Sequence, residues 1–340
     1  MDLFSWLRRE EALQDHARGT QRDPAGGATP GTEASDQAAT VPTPVTLDRL
    51  RRWCEGRGYT YFIDSEGDLG GLWRGRMFFF FLLGPDREVL QVRGHWNREL
   101  AIERLPEALE LCNTWHVERI WPTCYARVRD NGRVHVSSEV TADVAHGATD
   151  AQLDLLLQVR PRHRDRLLRR ARQRVPRPRR AGAVIRRRRR GPDVSAKPAQ
   201  ETRPLTAERL AARLAALGYR VSTDDDGDIG GVWGQDRFWF LRMGSAREIL
   251  QVRGRWRRAL PLEQRADVLL ALNDWNRDRI WPKAYLRTED GRTAVYAEVS
   301  VDLADGVTDD QIDAVIGRGL AAGGRLFGAL AQQMPESGTP

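Results

Sequence analysis

Apolar and polar positions along this chain follow a pattern that is written twice. Between Thr206 and Leu217, Leu210, Leu214 and Leu217 recur on one helical face, with Thr206 placed to cap it, and residues 46–56 repeat the arrangement. Strand-like runs follow: "YTYFI" at 59–63, "LGGLW" into "RMFFFFLL" at 69–83, and "REVLQVRG" at 87–94. Leu105, Ala108, Leu109, Cys112 and Trp115 then predict a helix near 103–118, ended by Trp-Pro. "DNGR" and its counterpart "EDGR" predict tight hairpins between two further strands. Thr149-x-x-Gln152 and Thr308-x-x-Gln311 are capping boxes that open a final helix. Each unit reads α-β-β-β-α-β-β-α, an α+β domain with an antiparallel sheet.

Shifting the chain by 160 residues lays "GDLGGLW" (67–73) on "GDIGGVW" (227–233), "LQVRG" on "LQVRG" and "RIWP" on "RIWP". After the shorter "EDGR" turn the offset is 159, and about 43 of 95 aligned positions are identical. So long a period means duplicated domains. The expected layout is an N-terminal amphipathic segment and linker (1–45), a first domain (46–157), an Arg/Pro-rich linker (158–204) and a second domain (205–335). If single-domain relatives dimerise, a tandem chain satisfies the same interface internally, as a pseudo-dimer.

Charge alters this picture in one place. The net charge is +7, yet residues 158–197 hold sixteen arginines and one lysine against two aspartates, a surplus of 15. The remainder therefore carries 7 − 15 = −8. Nucleic acid or an acidic surface is a candidate partner through that tract alone. No run is apolar enough to span a membrane, and three cysteines without metal-ligand spacing fit a reducing cytoplasm.

Catalytic chemistry finds little support. The histidines at 95, 116, 135 and 146 become Arg255, Asn276, Ala294 and Asp305 in the second copy, and Cys54, Cys112 and Cys124 become Leu214, Leu272 and Ala284. No nucleophile grouping, metal site or cofactor motif emerges, so a non-enzyme is expected. The acidic phrase lacks the final glutamate of a calcium loop and reads as an Asp/Gly turn. The paired glycines Gly70-Gly71 and Gly230-Gly231 read as a bulge or a close backbone approach. Both copies keep Asp68/Asp228, Trp73/Trp233, Asn113/Asn273, Trp115/Trp275, Trp121/Trp281 and Glu139/Glu298. They also keep Arg93/Arg253, Trp96/Trp256 and Arg119/Arg279, which are the candidates for a peptide-binding groove. Against that stands burial of the rings and a structural ion pair between arginine and glutamate.

The phrases "DLGGLW", "LQVRGHWNREL", "CNTWHVERIWPTCY" and "EVTADVAHGATDAQLD" resemble the bacterial YbjN domain over residues 46–157 and 205–330. The resemblance implies a fold similar to type III secretion chaperones and a partner-binding regulator, with no catalytic residues to carry over. The expected function is a non-enzymatic, chaperone-like protein that engages a peptide through a sheet edge and groove. One anomaly stands out after Leu157, where the first copy departs into arginine-rich text. Written in GC-rich codons and shifted by one base, "VRPRHRD" (159–165) gives "CGLATG", which lies on "RGLAAG" (318–323). A frame disturbance of the first domain's final helix is the expected cause.

Overall fold

The computed structural model describes residues 40–73, 76–157, 200–225 and 227–334. The N-terminal amphipathic segment and the arginine-rich tract, with its frame anomaly, lie outside them.

The first repeat runs α1 (Leu47–Glu55), β1 (Phe62–Ile63), β2 (Leu69–Trp73), β3 (Arg76–Leu83), β4 (Val89–Ala101), α2 (Leu105–Glu118), β5 (Thr123–Val128), β6 (Arg133–Asp143) and α3 (Asp150–Leu157). The second runs α4 (Ala207–Ala216), β7 (Ser222–Thr223), β8 (Ile229–Trp233), β9 (Asp236–Met243), β10 (Ile249–Leu260), α5 (Arg265–Asp278), β11 (Lys283–Glu289), β12 (Arg292–Asp302) and α6 (Asp309–Gln333). Each repeat forms a six-stranded sheet, in the orders β1-β2-β3-β4-β6-β5 and β7-β8-β9-β10-β12-β11, and every pairing is antiparallel.

The α+β class read from the sequence stands, with one strand more per repeat. "LGGLW" and "RMFFFFLL" are not one strand but two, folded back so that Trp73 pairs with Arg76. In the second repeat Gly234, at φ 63°, supplies the left-handed residue of this turn. "YTYFI" shrinks to Phe62–Ile63.

Local chemistry explains most boundaries. Thr46 and Thr206 Oγ1 accept the Arg49 and Arg209 N–H groups, capping α1 and α4. Both capping boxes close as predicted: Thr149 with Gln152, and Thr308 with Gln311, exchange reciprocal bonds of 3.0 and 3.1 Å. The repeated acidic phrase is a hairpin turn. Asp64 Oδ1 accepts the Glu66 and Asp68 N–H groups at 2.9 Å, and Asp224 Oδ1 accepts that of Asp228 at 2.9 Å. A Cβ on Gly70 would collide with the Phe62 ring, and one on Gly71 with the Trp73 ring.

Helices α1 and α3 cover one end of the first sheet, around Leu69, Phe80, Leu90 and Val92. In the second repeat α6 runs much farther. Gly319 and Gly323, one helical turn apart, bring it close enough that a Cβ on Gly323 would lie 2.7 Å from the Phe238 ring. Leu326, Phe327 and Leu330 then bury against the sheet.

The two repeats share a core. Cys112, Trp115, Cys124 and Ala126 of the first belong to the same buried cluster as Leu272, Ala284, Leu286 and Val295 of the second. Helix α2 packs on β11 as well as β5, and α5 on β5 as well as β11. Two asparagines lock this exchange. Asn113 donates to the Leu286 carbonyl (3.1 Å) and accepts the Leu286 N–H (2.9 Å). Asn273 does the same to Ala126, at 3.0 and 2.7 Å. Gln152 and Gln311 meet side chain to side chain at 3.1 Å, and each donates to a carbonyl of the other repeat, Gly306 or Gly147. Residue i touching j while j touches i is the mark of a two-fold interface, here within one chain.

Candidate functional site

Strands β5 and β11 end their sheets, and their outward backbone groups need partners. Own-repeat side chains serve the first outward residue. His116 Nε2 accepts the Cys124 N–H at 2.7 Å, and Asn276 bonds both the N–H and the carbonyl of Ala284 at 2.8 Å. The other repeat's asparagine serves the next, Ala126 or Leu286. Both edges are therefore closed at the junction of the repeats. The opposite edges end in the two-residue strands β1 and β7, beside β2 and β8. There the surface carries large apolar groups: Tyr59, Phe62, Ile63, Leu72 and, at 62% exposure, Val232.

In each repeat one candidate arginine, Arg93 or Arg253, stands on the sheet face turned away from that repeat's last helix. Arg93 lies opposite Phe79 on one side and Glu139 on the other, and Arg253 lies opposite Trp239 and Glu298. Arg93 donates to Gln91 Oε1 (2.6 Å) and Glu139 Oε2 (3.3 Å), with its guanidinium 5.1 Å from the Phe81 ring centre. Arg253 donates to Glu298 Oε1 at 2.8 Å. Tyr125 and Tyr285 give their hydroxyl protons to the same carboxylate oxygens, at 3.2 and 2.6 Å.

The repeats differ at the next position. Lys283 faces Glu298 across the β11–β12 pair and puts Nζ 2.8 Å from Oε2, whereas Thr123 faces Glu139. The Lys283 ammonium also donates to the carbonyls of Arg119 (2.8 Å), Ile120 (3.2 Å) and His116 (3.3 Å), where α2 ends in the other repeat. Burial works to raise the Glu298 carboxyl, but Lys283 and Arg253 overcome it and hold the group below its ordinary value. At Glu139 burial prevails over Arg93 and Tyr125, and the carboxyl is raised. A small, shallow cleft, open to solvent, lies between these two carboxylates, with Ile120, Trp121, Ile280, Trp281 and Lys283 in its wall.

The six groove candidates do not come together. Trp256 is 2% exposed and sits in the shared core, and Trp96 packs half-buried against that core. Both rings stand on the helix-covered side, so they leave the groove: strand alternation puts Trp96 and Trp256 three positions from Arg93 and Arg253 and therefore on the opposite face of the sheet. Arg119 and Arg279 lie at the ends of α2 and α5, with guanidinium groups 5.5 and 5.8 Å from the centres of the Trp115 and Trp275 rings. Arg93 and Arg253 are held in ion pairs. Sequence reasoning missed Lys283, whose substitution by threonine in the other copy was the available signal, and the edge-closing role of Asn113 and Asn273.

The reactive residues are sequestered. Burial pushes the Cys54 thiol to about 11 and Cys112 to about 12, and raises Cys124 well above its ordinary value. Burial, with Lys283 adding to it, brings His116 down to about 3, and burial with nearby arginines brings His95 to about 4. Among the described residues no group of three or more His, Cys, Asp and Glu side chains could hold a metal ion. Nor is any described helix long and apolar enough to cross a membrane.

Comparison with known proteins gives a family. The model of the YbjN family, described as "putative bacterial sensory transduction regulator", matches residues 46–171 and 206–332. Among solved structures, the chain is similar to one titled "Crystal structure of YbjN, a putative transcription regulator from E. coli". That similarity is at 15% identity with a TM-score of 0.33, covering 39% of this chain and 96% of the other. No curated protein matches the chain.

Proposed function

This chain belongs to the YbjN family, with two copies of its domain in tandem, and from that premise we propose that it is a non-enzymatic regulator that binds an extended segment of a protein partner. The observation that carries this reading is the asymmetry of the sheet edges. The inner edges are closed by Asn113 and Asn273, while the outer edges beside β2 and β8 combine short terminal strands with exposed Phe62, Ile63, Leu72 and Val232. An extended peptide added there gains main-chain hydrogen bonds with modest sequence demands, and the apolar groups supply side-chain contacts. Phe79, Phe81 and Arg93 continue that surface across the first sheet, so Arg93 contributes as a neighbour of the edge rather than as a free carboxylate anchor. The acidic balance of the chain outside the arginine-rich tract favours a basic segment.

Leu72→Lys and Val232→Lys place charges on the proposed edges, at side chains that contribute little to the core. Recovery of partners from cell extract by the native chain, with crosslinks mapped to residues 59–73 or 219–233, is the expected result. The paired substitution should abolish recovery and leave the urea midpoint unchanged. Crosslinks that map elsewhere and survive the substitution would remove the edge reading. Turnover of a small-molecule substrate by the purified chain would overturn the non-enzymatic one.

A further inference from the structure

We propose that the cleft between the repeats binds a primary alkylammonium group, such as a lysine side chain, against Glu139. The inference rests on the pseudo-two-fold arrangement and does not depend on the sheet-edge reading above. In the second repeat Glu298 divides its oxygens: Oε1 takes Arg253 and Tyr285, and Oε2 takes the Lys283 ammonium. In the first repeat Glu139 Oε2 takes Arg93 and Tyr125 in the same way. Among the described residues nothing donates to its other oxygen, because Thr123 stands where the lysine stands in the second copy.

By the repeat relation the rest of the ammonium site has counterparts in the other copy. Lys283 is received by the carbonyls of His116, Arg119 and Ile120 at the end of α2; the counterparts are the carbonyls of Asn276, Arg279 and Ile280 at the end of α5. Ile280 and Trp281 line the same cleft as Thr123, Glu139 and Thr141. Glu139 is 5% exposed, so its charge has lost most of its water and gains strongly from a compact donor. An ammonium has three N–H groups to share between one carboxylate oxygen and backbone carbonyls, as Lys283 does. A planar guanidinium does not reproduce that fan of acceptors. The indole and isoleucine walls suit the methylenes of an alkyl chain.

Two salts of equal charge separate this site from general electrostatics: n-butylammonium chloride, which has N–H donors, and tetramethylammonium chloride, which has none. With the full-length chain, n-butylammonium should raise the thermal midpoint above that in tetramethylammonium at the same concentration, and calorimetric titration should give a saturable isotherm. Glu139→Gln should weaken that binding about tenfold or more. Thr123→Lys should raise the midpoint in the absence of ligand and eliminate the response to n-butylammonium, since the site then fills itself. Acetyl-Gly-Lys-Gly-amide binding at lower concentration than n-butylammonium assigns the group to a peptide, and the reverse order assigns it to a free amine. Equal midpoints in the two salts, or a response that persists in Glu139→Gln, would overturn the proposal. If Thr123→Lys fails to fold, the Glu139→Gln comparison alone decides.

Discussion

Replacing Asn113 by alanine is the sharpest test of how the two repeats are joined. The Asn113 amide is 6% exposed and makes two bonds to one residue of the other repeat, the N–H and carbonyl of Leu286 at 2.9 and 3.1 Å. Alanine removes both and leaves a donor and an acceptor on the β11 edge without partners. Each such buried group costs about 1–3 kcal/mol, so the substitution should cost about 2–6 kcal/mol. Urea slopes are on the order of 1–3 kcal/mol per molar for small proteins, so the midpoint should fall by about 1 M or more. Asn113→Asp should lose at least as much: it keeps an acceptor for the Leu286 N–H but turns an oxygen toward the Leu286 carbonyl and buries a charge. Asn97→Ala, at an exposed position of the same repeat, should shift stability by less than about 0.5 kcal/mol. A midpoint for Asn113→Ala indistinguishable from native would refute the edge-closing argument.

Three further predictions follow from the same geometry. His116 is held neutral, with its proton affinity lowered from 6.5 to about 3. The unfolded chain therefore binds the proton first, and stability falls as pH drops below about 6.5, by up to about 1.4 kcal/mol per pH unit, until about 3. His116→Asn, which adopts the Asn276 solution of the second repeat, should reduce that slope in the urea-midpoint profile and leave the part His95 contributes down to about 4; an unchanged slope contradicts the assignment. Within α6, Gly324→Ala and Gly328→Ala meet open space and should stabilise by about 1 kcal/mol each, while Gly323→Ala meets the Phe238 ring and should destabilise, as read by thermal melts. Residues 200–334 expressed alone leave the α5 and β11 faces without partners and should form a two-fold dimer in sedimentation; a stable monomer contradicts the pseudo-dimer geometry.

The duplication, the helices and most strands were legible in the sequence because their causes are local. Thr149 and Gln152 meet across one helical turn, and Asp64 reaches Asp68 within one hairpin, so a short window of sequence contains both partners of each bond. The strand break after Trp73 was read over, although the two residues between the runs, Arg74-Gly75 and in the second copy Gly234-Gln235, each include the glycine that a two-residue hairpin turn takes. The site was the least legible part. Arginine and tryptophan in both copies marked a place worth examining, and strand alternation already set Trp256, three positions after Arg253, on the opposite face, so the grouping of the two failed on a signal the sequence contained. The closing of the inner edges depends on Asn113 reaching a residue 173 positions away. A bond between groups so far apart in sequence has no local signature, because the backbone groups it satisfies are the same at every residue. Only packing the two repeats together decides which of them lack a partner, whereas which of the two carboxylates, Glu298 or Glu139, receives an ammonium is set within each repeat by Lys283 or Thr123 on the neighbouring strand.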